Sequence, residues 1–115
     1  MKIRKIFYGN MASGKSVLAK QLQDVFFGYT YYITGDFGLQ AVLLEIKNRH
    51  WLHNLSNEAT VMFIIEDYLG THTQEILEYF KDRNFPIIIL MEKKPDLPKE
   101  MLKTIDVVKC SYTID

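Results

Sequence analysis

The chain has 115 residues, of which 48% are hydrophobic and 24% charged, and its 14 basic side chains balance 14 acidic ones. This length and composition indicate one globular domain. The balanced charge excludes a global positive field that would attract nucleic acid, although a local basic patch stays compatible with it. The single cysteine, Cys110, excludes an internal disulfide and a zinc site built from several thiolates.

No targeting or membrane segment is visible in the sequence. The basic start of the chain carries too short an apolar run for a signal peptide, which needs roughly 7–15 apolar residues. No stretch approaches the ~18 apolar residues of a membrane span. We therefore expect a soluble, cytoplasmic protein without a membrane partner.

Short apolar runs alternate with helical patterns along the chain, which is typical of an α/β fold with a mainly parallel sheet. Five strands are predicted over residues 3–8, 29–34, 60–65, 85–91 and 107–112. Helices are predicted over residues 15–26, 37–52, 71–80 and 99–105. The sequence thus predicts a single-domain, three-layer α/β fold around a five-stranded, mainly parallel sheet.

Residues at three helix ends have the chemistry of caps. Gly28 is expected to end the first helix in the left-handed conformation. Asp36 is expected to cap the second helix through its carboxylate. Thr71 and Gln74 form a capping-box pattern at the start of the third helix. If these predictions are correct, residues adjacent in sequence determine each boundary.

Residues 9–16 read Gly-Asn-Met-Ala-Ser-Gly-Lys-Ser and fit the phosphate-loop pattern G-x-x-x-x-G-K-[ST]. Small residues let backbone N–H groups surround a phosphate, and the following helix adds its positive N-terminal end. Lys15 is expected to reach the β- and γ-phosphates, and the Ser16 hydroxyl to ligate magnesium. The predicted nucleotide-binding residues are Gly9, Asn10, Met11, Ala12, Ser13, Gly14, Lys15, Ser16 and Val17. The alternative is a glycine-rich turn followed by a chance Lys-Ser pair.

Glu66 and Asp67 follow the apolar run 61–65 and resemble the Walker B element of P-loop NTPases. In that element an acid at the end of a strand supports magnesium. In families with an additional central strand, an adjacent acid polarises the attacking water. The resemblance implies Ser16 and Glu66 as metal ligands and Lys15, Glu66 and Asp67 as catalytic residues. Because the usual order is Asp then Glu, each carboxylate here is displaced by one methylene, and magnesium support is better founded than fast hydrolysis. The alternative is two acids that solvate a strand end.

Weaker candidates lie elsewhere in the chain. Arg83 follows the third helix and could act as an arginine finger on the nucleotide of a neighbouring subunit, or could complement the negative end of its own helix. Glu92 stands where additional-strand NTPases usually carry Asn, Thr or Gln as a sensor. Tyr29, Tyr31 and Tyr32 are predicted to be strand residues because of their β-propensity, and not a binding platform.

Taken together, the phosphate loop and the acidic pair resemble a minimal P-loop NTPase of the additional-strand group, which includes AAA+, RecA-like and DNA-pumping ATPases. This resemblance implies ATP and Mg²⁺ as cofactors, assembly into a homo-oligomer, and an ATPase of small viral or plasmid type that serves DNA replication, packaging or transfer. The absence of a guanine-reading Asn-Lys-x-Asp motif favours ATP.

Two other functions stay open. The loop variant G-x-M-x-S-G-K-[ST], with Met11 and Ser13, is also similar to type II thymidine kinases, which implies a nucleoside or small-molecule kinase. The inverted acidic pair and the unusual Glu92 favour a nucleotide-binding regulator without efficient turnover.

Overall fold

Strands and helices alternate along the chain in the computed structural model, which describes residues 3–10, 14–35, 37–54 and 57–111. The five strands of the described residues are β1 (Arg4–Tyr8), β2 (Tyr29–Thr34), β3 (Val61–Glu66), β4 (Ile87–Met91) and β5 (Asp106–Lys109). Their α-helices are α1 (Lys15–Val25), α2 (Leu39–Leu52), α3 (Thr73–Phe80) and α4 (Lys99–Leu102). A single turn of 3₁₀-helix, Glu58–Thr60, leads into β3. The predicted element order is confirmed, although residue 112, at the end of the last predicted strand, lies outside the described residues.

All five strands are parallel, in the order β2-β3-β4-β1-β5. The fourth strand therefore lies between β1 and β3, so that two strands adjacent in space are far apart in sequence. Because the strands are parallel, their carboxyl ends meet at one edge of the sheet, the usual place for a ligand site in such folds. We call this the carboxyl edge; its strands end at Tyr8, Thr34, Glu66, Met91 and Lys109. The opposite edge is the amino edge.

Helices cover both faces of the sheet because successive strand side chains point to opposite sides. In β3, Phe63 and Ile65 pack with residues of α2 and α3. Met62 and Ile64 pack on the other face with Ala19 of α1. Every residue of β3 except its last, and all of β4, is buried. The predicted α/β, three-layer arrangement is confirmed, with a sheet that is parallel throughout.

Gly28 does not cap α1 in the way the sequence predicts. The helix ends at Val25, and the next residue, Phe26, is extended with φ −85° and ψ 126°. Gly28 has φ +146°, and a Cβ atom there would lie 2.1 Å from the carbonyl oxygen of Thr60. Glycine is therefore needed because the chain entering β2 closely approaches the chain entering β3, which is a tertiary contact.

The predicted caps of α2 and α3 have different outcomes. Asp36, the cap predicted for α2, lies outside the described residues. The capping box predicted at Thr71 and Gln74 is wrong, because α3 begins after His72, whose side chain makes no capping bond. The Gln74 amide instead bonds the Glu78 carboxylate at 3.5 Å. The carboxylate that supports the start of α3 comes from the acidic pair and is described with the site.

Among the described residues, every helix is too short or too polar to cross a membrane.

Candidate functional site

The predicted phosphate loop joins β1 to α1 at the carboxyl edge. The Gly9 amide donates to the carbonyl of Met91 at 3.1 Å, which ties the start of the loop to the end of β4. Gly14 ends the loop with φ +90°, a left-handed conformation that favours glycine. The strand–loop–helix context that the motif requires is therefore present. Met11, Ala12 and Ser13 lie outside the described residues, so the predicted phosphate cradle is described only at its two ends.

The ammonium group of Lys15 folds back onto the loop. Its Nζ atom donates to the carbonyl oxygen of Gly9 and to that of Asn10 at 2.8 Å. The same atom lies 6.0 Å from the centre of the Tyr68 ring, at the outer limit of a cation–π contact. Because these acceptors are uncharged carbonyls, a phosphate in the loop would offer the ammonium a stronger, charged acceptor. Val17, the last predicted binding residue, is 57% exposed on α1.

The hydroxyl of Tyr32 binds one of the two predicted metal ligands. It donates to Oε1 of Glu66 at 2.6 Å. Burial first, and then this carboxylate, raises the pKa of Tyr32 to about 12, while the Ser16 side chain lowers it. The Tyr32 phenol therefore lies at the carboxyl edge in contact with Glu66.

The side chain of Asp67, the second acid of the pair, points to the opposite face of the sheet from Glu66. Asp67 is 5% exposed, and its Oδ2 atom accepts the backbone N–H of His72 at 2.9 Å and the hydroxyl of Thr73 at 2.6 Å. These are donors at the N-terminus of α3, where a carboxylate stabilises a helix. Strand alternation explains the division, because Glu66 follows Ile64 onto the α1 face and Asp67 turns to the face of α3. The catalytic role predicted for Asp67 stays a prediction, since the structure assigns its Oδ2 atom to helix capping.

Hard oxygen donors at the carboxyl edge fit a magnesium ion. Mg²⁺ is usually held in nucleotide sites by one or two protein oxygens together with phosphates and water. One hydroxyl, from Ser16, and one carboxylate, from Glu66, meet that requirement. Among the described residues there is no group of three or more His, Cys, Asp or Glu side chains that could hold a metal without a nucleotide. The donor set thus suits a cation that arrives with phosphate.

Arg83 lies at the amino edge, away from the other predicted site residues. The Arg4 Nη2 atom, at the start of β1, donates to the Arg83 carbonyl at 2.7 Å and to the Phe80 carbonyl. The guanidinium carbon of Arg83 lies 4.7 Å from the centre of the Tyr79 ring. The five residues of β1 separate this position from the loop by roughly 17 Å, at about 3.3 Å per residue. The structure therefore does not bring Arg83 to the loop of its own chain.

A cavity of about 430 Å³ also opens at the amino edge, between α3 and α4. Arg4 forms part of its wall, together with Leu77, Met101 and Ile105. Burial lowers the pKa of Arg4, whose bond to the carbonyl of Phe80, the last residue of α3, acts as a helix C-cap. We assign Arg4 to holding α3 against the sheet.

Two tyrosines of the site are not predicted by the sequence. Tyr32 has the β-propensity expected of a strand residue, yet its hydroxyl contacts the predicted metal ligand Glu66. Tyr68, which approaches Lys15, follows the acidic pair, and its backbone carbonyl accepts the N–H of Glu92 at 2.8 Å. Alternation along β2 and β3 could have placed Tyr32 on one face. The register that sets it beside Glu66 is not readable from sequence.

No family model matches this chain, and a search of curated proteins finds no match to it.

Proposed function

We propose that this chain binds ATP with Mg²⁺ at the carboxyl edge of the sheet. The observation that carries the proposal is the convergence of three predicted groups. Lys15 lies at the phosphate loop, Ser16 follows it in the first turn of α1, and Glu66 ends β3 at the same edge, where the Tyr32 hydroxyl donates to it. The residues 9–16 and the start of α1 would hold the phosphates, and the preference for ATP rests on the missing guanine-reading motif.

The strand order supports the additional-strand group of P-loop NTPases. That group is defined by an additional central strand, and here β4 separates β1, which leads into the loop, from β3, which ends at Glu66. Gly9 is held against the end of β4 by its backbone bond to Met91. The loop and the acid therefore approach each other across an intervening strand, as the resemblance implies.

The site residues suit binding better than rapid hydrolysis. When bound, Mg²⁺ would neutralise charge on the β- and γ-phosphates. Lys15 would add a second positive charge, and Glu66 would orient the ion through its carboxylate. Asp67, the acid expected to polarise water, is engaged with the N-terminus of α3. We therefore propose slow hydrolysis, and a nucleotide-dependent regulator is the second candidate function that this contact favours.

Assembly and DNA handling are further proposals that rest on the resemblance. Because Arg83 lies roughly 17 Å from the loop of its own chain, at about 3.3 Å per residue of β1, only a neighbouring subunit could receive it as an arginine finger. An ATPase rate that rises with protein concentration, or on adding DNA, would support these proposals. A rate that stays flat under both conditions would favour the regulator.

The central proposal is tested by Lys15→Ala, with Lys20→Ala as the matched control. Lys20 lies on the same helix and pairs with Asp24 at 3.4 Å, away from the loop. A charge-assisted hydrogen bond contributes about 1.5–3 kcal/mol, so Lys15→Ala should weaken ATP binding by roughly 10- to 100-fold in calorimetry. The control should bind as the wild type does. Unaltered affinity in Lys15→Ala would refute the phosphate-loop interpretation.

A second assay separates the enzyme classes. Labelled ATP incubated with a mixture of nucleosides reports whether phosphate moves to water or to a nucleoside hydroxyl. We expect slow release of inorganic phosphate and no labelled nucleoside. A labelled nucleoside monophosphate would instead establish the kinase alternative.

A further inference from the structure

Tyr32 donates a hydrogen bond to the predicted metal ligand Glu66, yet neither the phosphate-loop motif nor the acidic pair includes it. We propose that Tyr32 is a positioning residue for the magnesium ion, whose hydroxyl orients the Glu66 carboxylate so that its second oxygen presents a lone pair to the cation. This inference rests on the proposed function, because it concerns the same site.

The strand register places Tyr32 for this role. Tyr32 pairs with Ile64 on the neighbouring parallel strand, so Glu66 lies two residues further toward the carboxyl edge on the same face. Two strand residues span about 6.6 Å, a distance that a tyrosine side chain covers. The phenol therefore runs along the sheet toward the carboxyl edge and ends at the Glu66 carboxylate.

The direction of the hydrogen bond follows from the chemistry of the two groups. An ionised carboxylate can only accept, so the Tyr32 proton lies on the 2.6 Å bond to Oε1 of Glu66.

This direction leaves one oxygen of Glu66 for a cation. Tyr32 uses only Oε1 of Glu66, so Oε2 can take the ion. Mg²⁺ demands near-ideal octahedral geometry, and hydrogen bonds that hold the ligands in place typically change metal affinity by about 10- to 100-fold.

The opposite effect is the alternative that the test must separate. A phenol bound to the Glu66 carboxylate could compete with the cation, and its removal would then strengthen magnesium binding. The hydrogen-bond direction favours positioning, because the Tyr32 proton lies on Oε1 of the carboxylate and the free oxygen, Oε2, stays available. The two effects have opposite signs in a binding experiment.

The experiment compares Tyr32→Phe with the wild type and with the control Tyr29→Phe. Tyr29 is exposed on the same strand, and its ring contacts His53 with the centroids 4.6 Å apart, so the control removes a hydroxyl away from the site. ATP affinity is measured by calorimetry in a chelator, and then as a function of Mg²⁺ concentration. Mn²⁺ replaces Mg²⁺ in a parallel titration, and electron paramagnetic resonance reports free and bound ion directly.

We expect Tyr32→Phe to raise the Mg²⁺ concentration for half-saturation by roughly 10- to 100-fold, without changing ATP affinity in the chelator. A purely structural role would change both affinities together. Tyr29→Phe should match the wild type in both measurements. Urea denaturation of each variant checks that it is folded.

The failures of the two proposals are distinguishable. A wild-type chain that binds no ATP overturns the proposed function and this inference with it. A wild type that binds ATP and Mg²⁺, with an unchanged half-saturation in Tyr32→Phe, overturns the inference alone. A lower Mg²⁺ concentration for half-saturation in Tyr32→Phe also overturns the inference, because the hydroxyl would then be a competitor of the ion.

Discussion

Replacing each of the two adjacent acids, Glu66 and Asp67, by alanine should produce different defects. Asp67→Ala is expected to destabilise the fold, because Asp67 holds the N-terminus of α3. Glu66→Ala is expected to leave the fold nearly intact and to abolish the effect of Mg²⁺ on ATP binding. The sequence treats the pair as one motif, whereas the structure separates their tasks.

The expected loss of unfolding free energy in Asp67→Ala follows from the hydrogen bonds of the Asp67 side chain. The buried Oδ2 atom of Asp67 accepts two hydrogen bonds, and one of the donors, Thr73, is itself 1% exposed. A hydrogen bond to a charged group contributes about 1.5–3 kcal/mol, and loss of an N-terminal capping side chain costs about 0.5–2 kcal/mol. The two bonds share one acceptor and do not add in full, so we expect Asp67→Ala to lose about 2–4 kcal/mol of unfolding free energy.

For Glu66→Ala the expected loss is smaller. Its Oε1 atom accepts one exposed hydrogen bond from Tyr32, and the side chain lies at the carboxyl edge. A hydrogen bond to a charged group contributes about 1.5–3 kcal/mol, but this one is exposed to solvent and the Tyr32 hydroxyl can turn to water, so we expect a loss below about 1.5 kcal/mol.

Urea denaturation followed by circular dichroism measures the unfolding free energies, and an unchanged slope with denaturant indicates that only stability has changed. Calorimetry with and without Mg²⁺ provides the second readout. If Asp67→Ala unfolds like the wild type but loses the Mg²⁺ effect, Asp67 is the ligand and the assignment made here is wrong. Equal destabilisation by both substitutions would refute the separation of tasks.

Three further outcomes test other parts of the structure. Gly28→Ala should lose more unfolding free energy than Gly38→Ala, since a Cβ at Gly28 meets a backbone oxygen at 2.1 Å, while one at Gly38 meets nothing within 4 Å. Both positions have positive φ, so each substitution carries a backbone penalty on the order of 1–3 kcal/mol, and a larger loss at Gly28, measured in urea, reports the added clash. The Tyr32 pKa, raised from its ordinary 10.0 to about 12, makes the unfolded chain lose this proton first, so its contribution to stability is complete below pH 10 and falls between pH 10 and 12. Tyrosinate absorbance should accordingly reveal one group titrating near pH 12 that Tyr32→Phe lacks. Arg83→Ala removes a ring contact with Tyr79 and should change stability by only about 0.5–1 kcal/mol while leaving ATP affinity unaltered. It should slow hydrolysis only at protein concentrations where the chain self-associates.

Each of these three predictions would be contradicted by a specific experimental result. Equal losses for the two glycine variants would mean that the close approach of the two chain segments relaxes without cost. A wild-type titration indistinguishable from that of Tyr32→Phe would place the phenol away from the carboxylate. Slower hydrolysis by dilute, monomeric Arg83→Ala would contradict the distance between Arg83 and the loop of its own chain.

Most of the secondary structure was predictable because it depends on local pattern. The continuous apolar runs of β3 and β4 indicate strands covered on both faces, and the structure buries both. Helix ends were less predictable. Thr71 and Gln74 have the spacing of a capping box, but the start of α3 is satisfied by Asp67, which reaches it from the end of β3. Glycine is likewise required at position 28 because the backbone there closely approaches Thr60, which is distant in sequence.

By itself, the sequence determined the alternation of strands and helices and the phosphate-loop pattern at residues 9–16, because both depend on residues close together in the chain. Only the tertiary structure decided that β4 lies between β1 and β3, that Glu66 and Asp67 serve opposite faces, and that Tyr32 reaches Glu66. Alternation assigns a side chain to one of two faces, but it does not say which helix covers that face. Strand order and register join residues more than thirty positions apart, as Tyr32 and Glu66 are, so the contacts that complete the site arise when the sheet assembles.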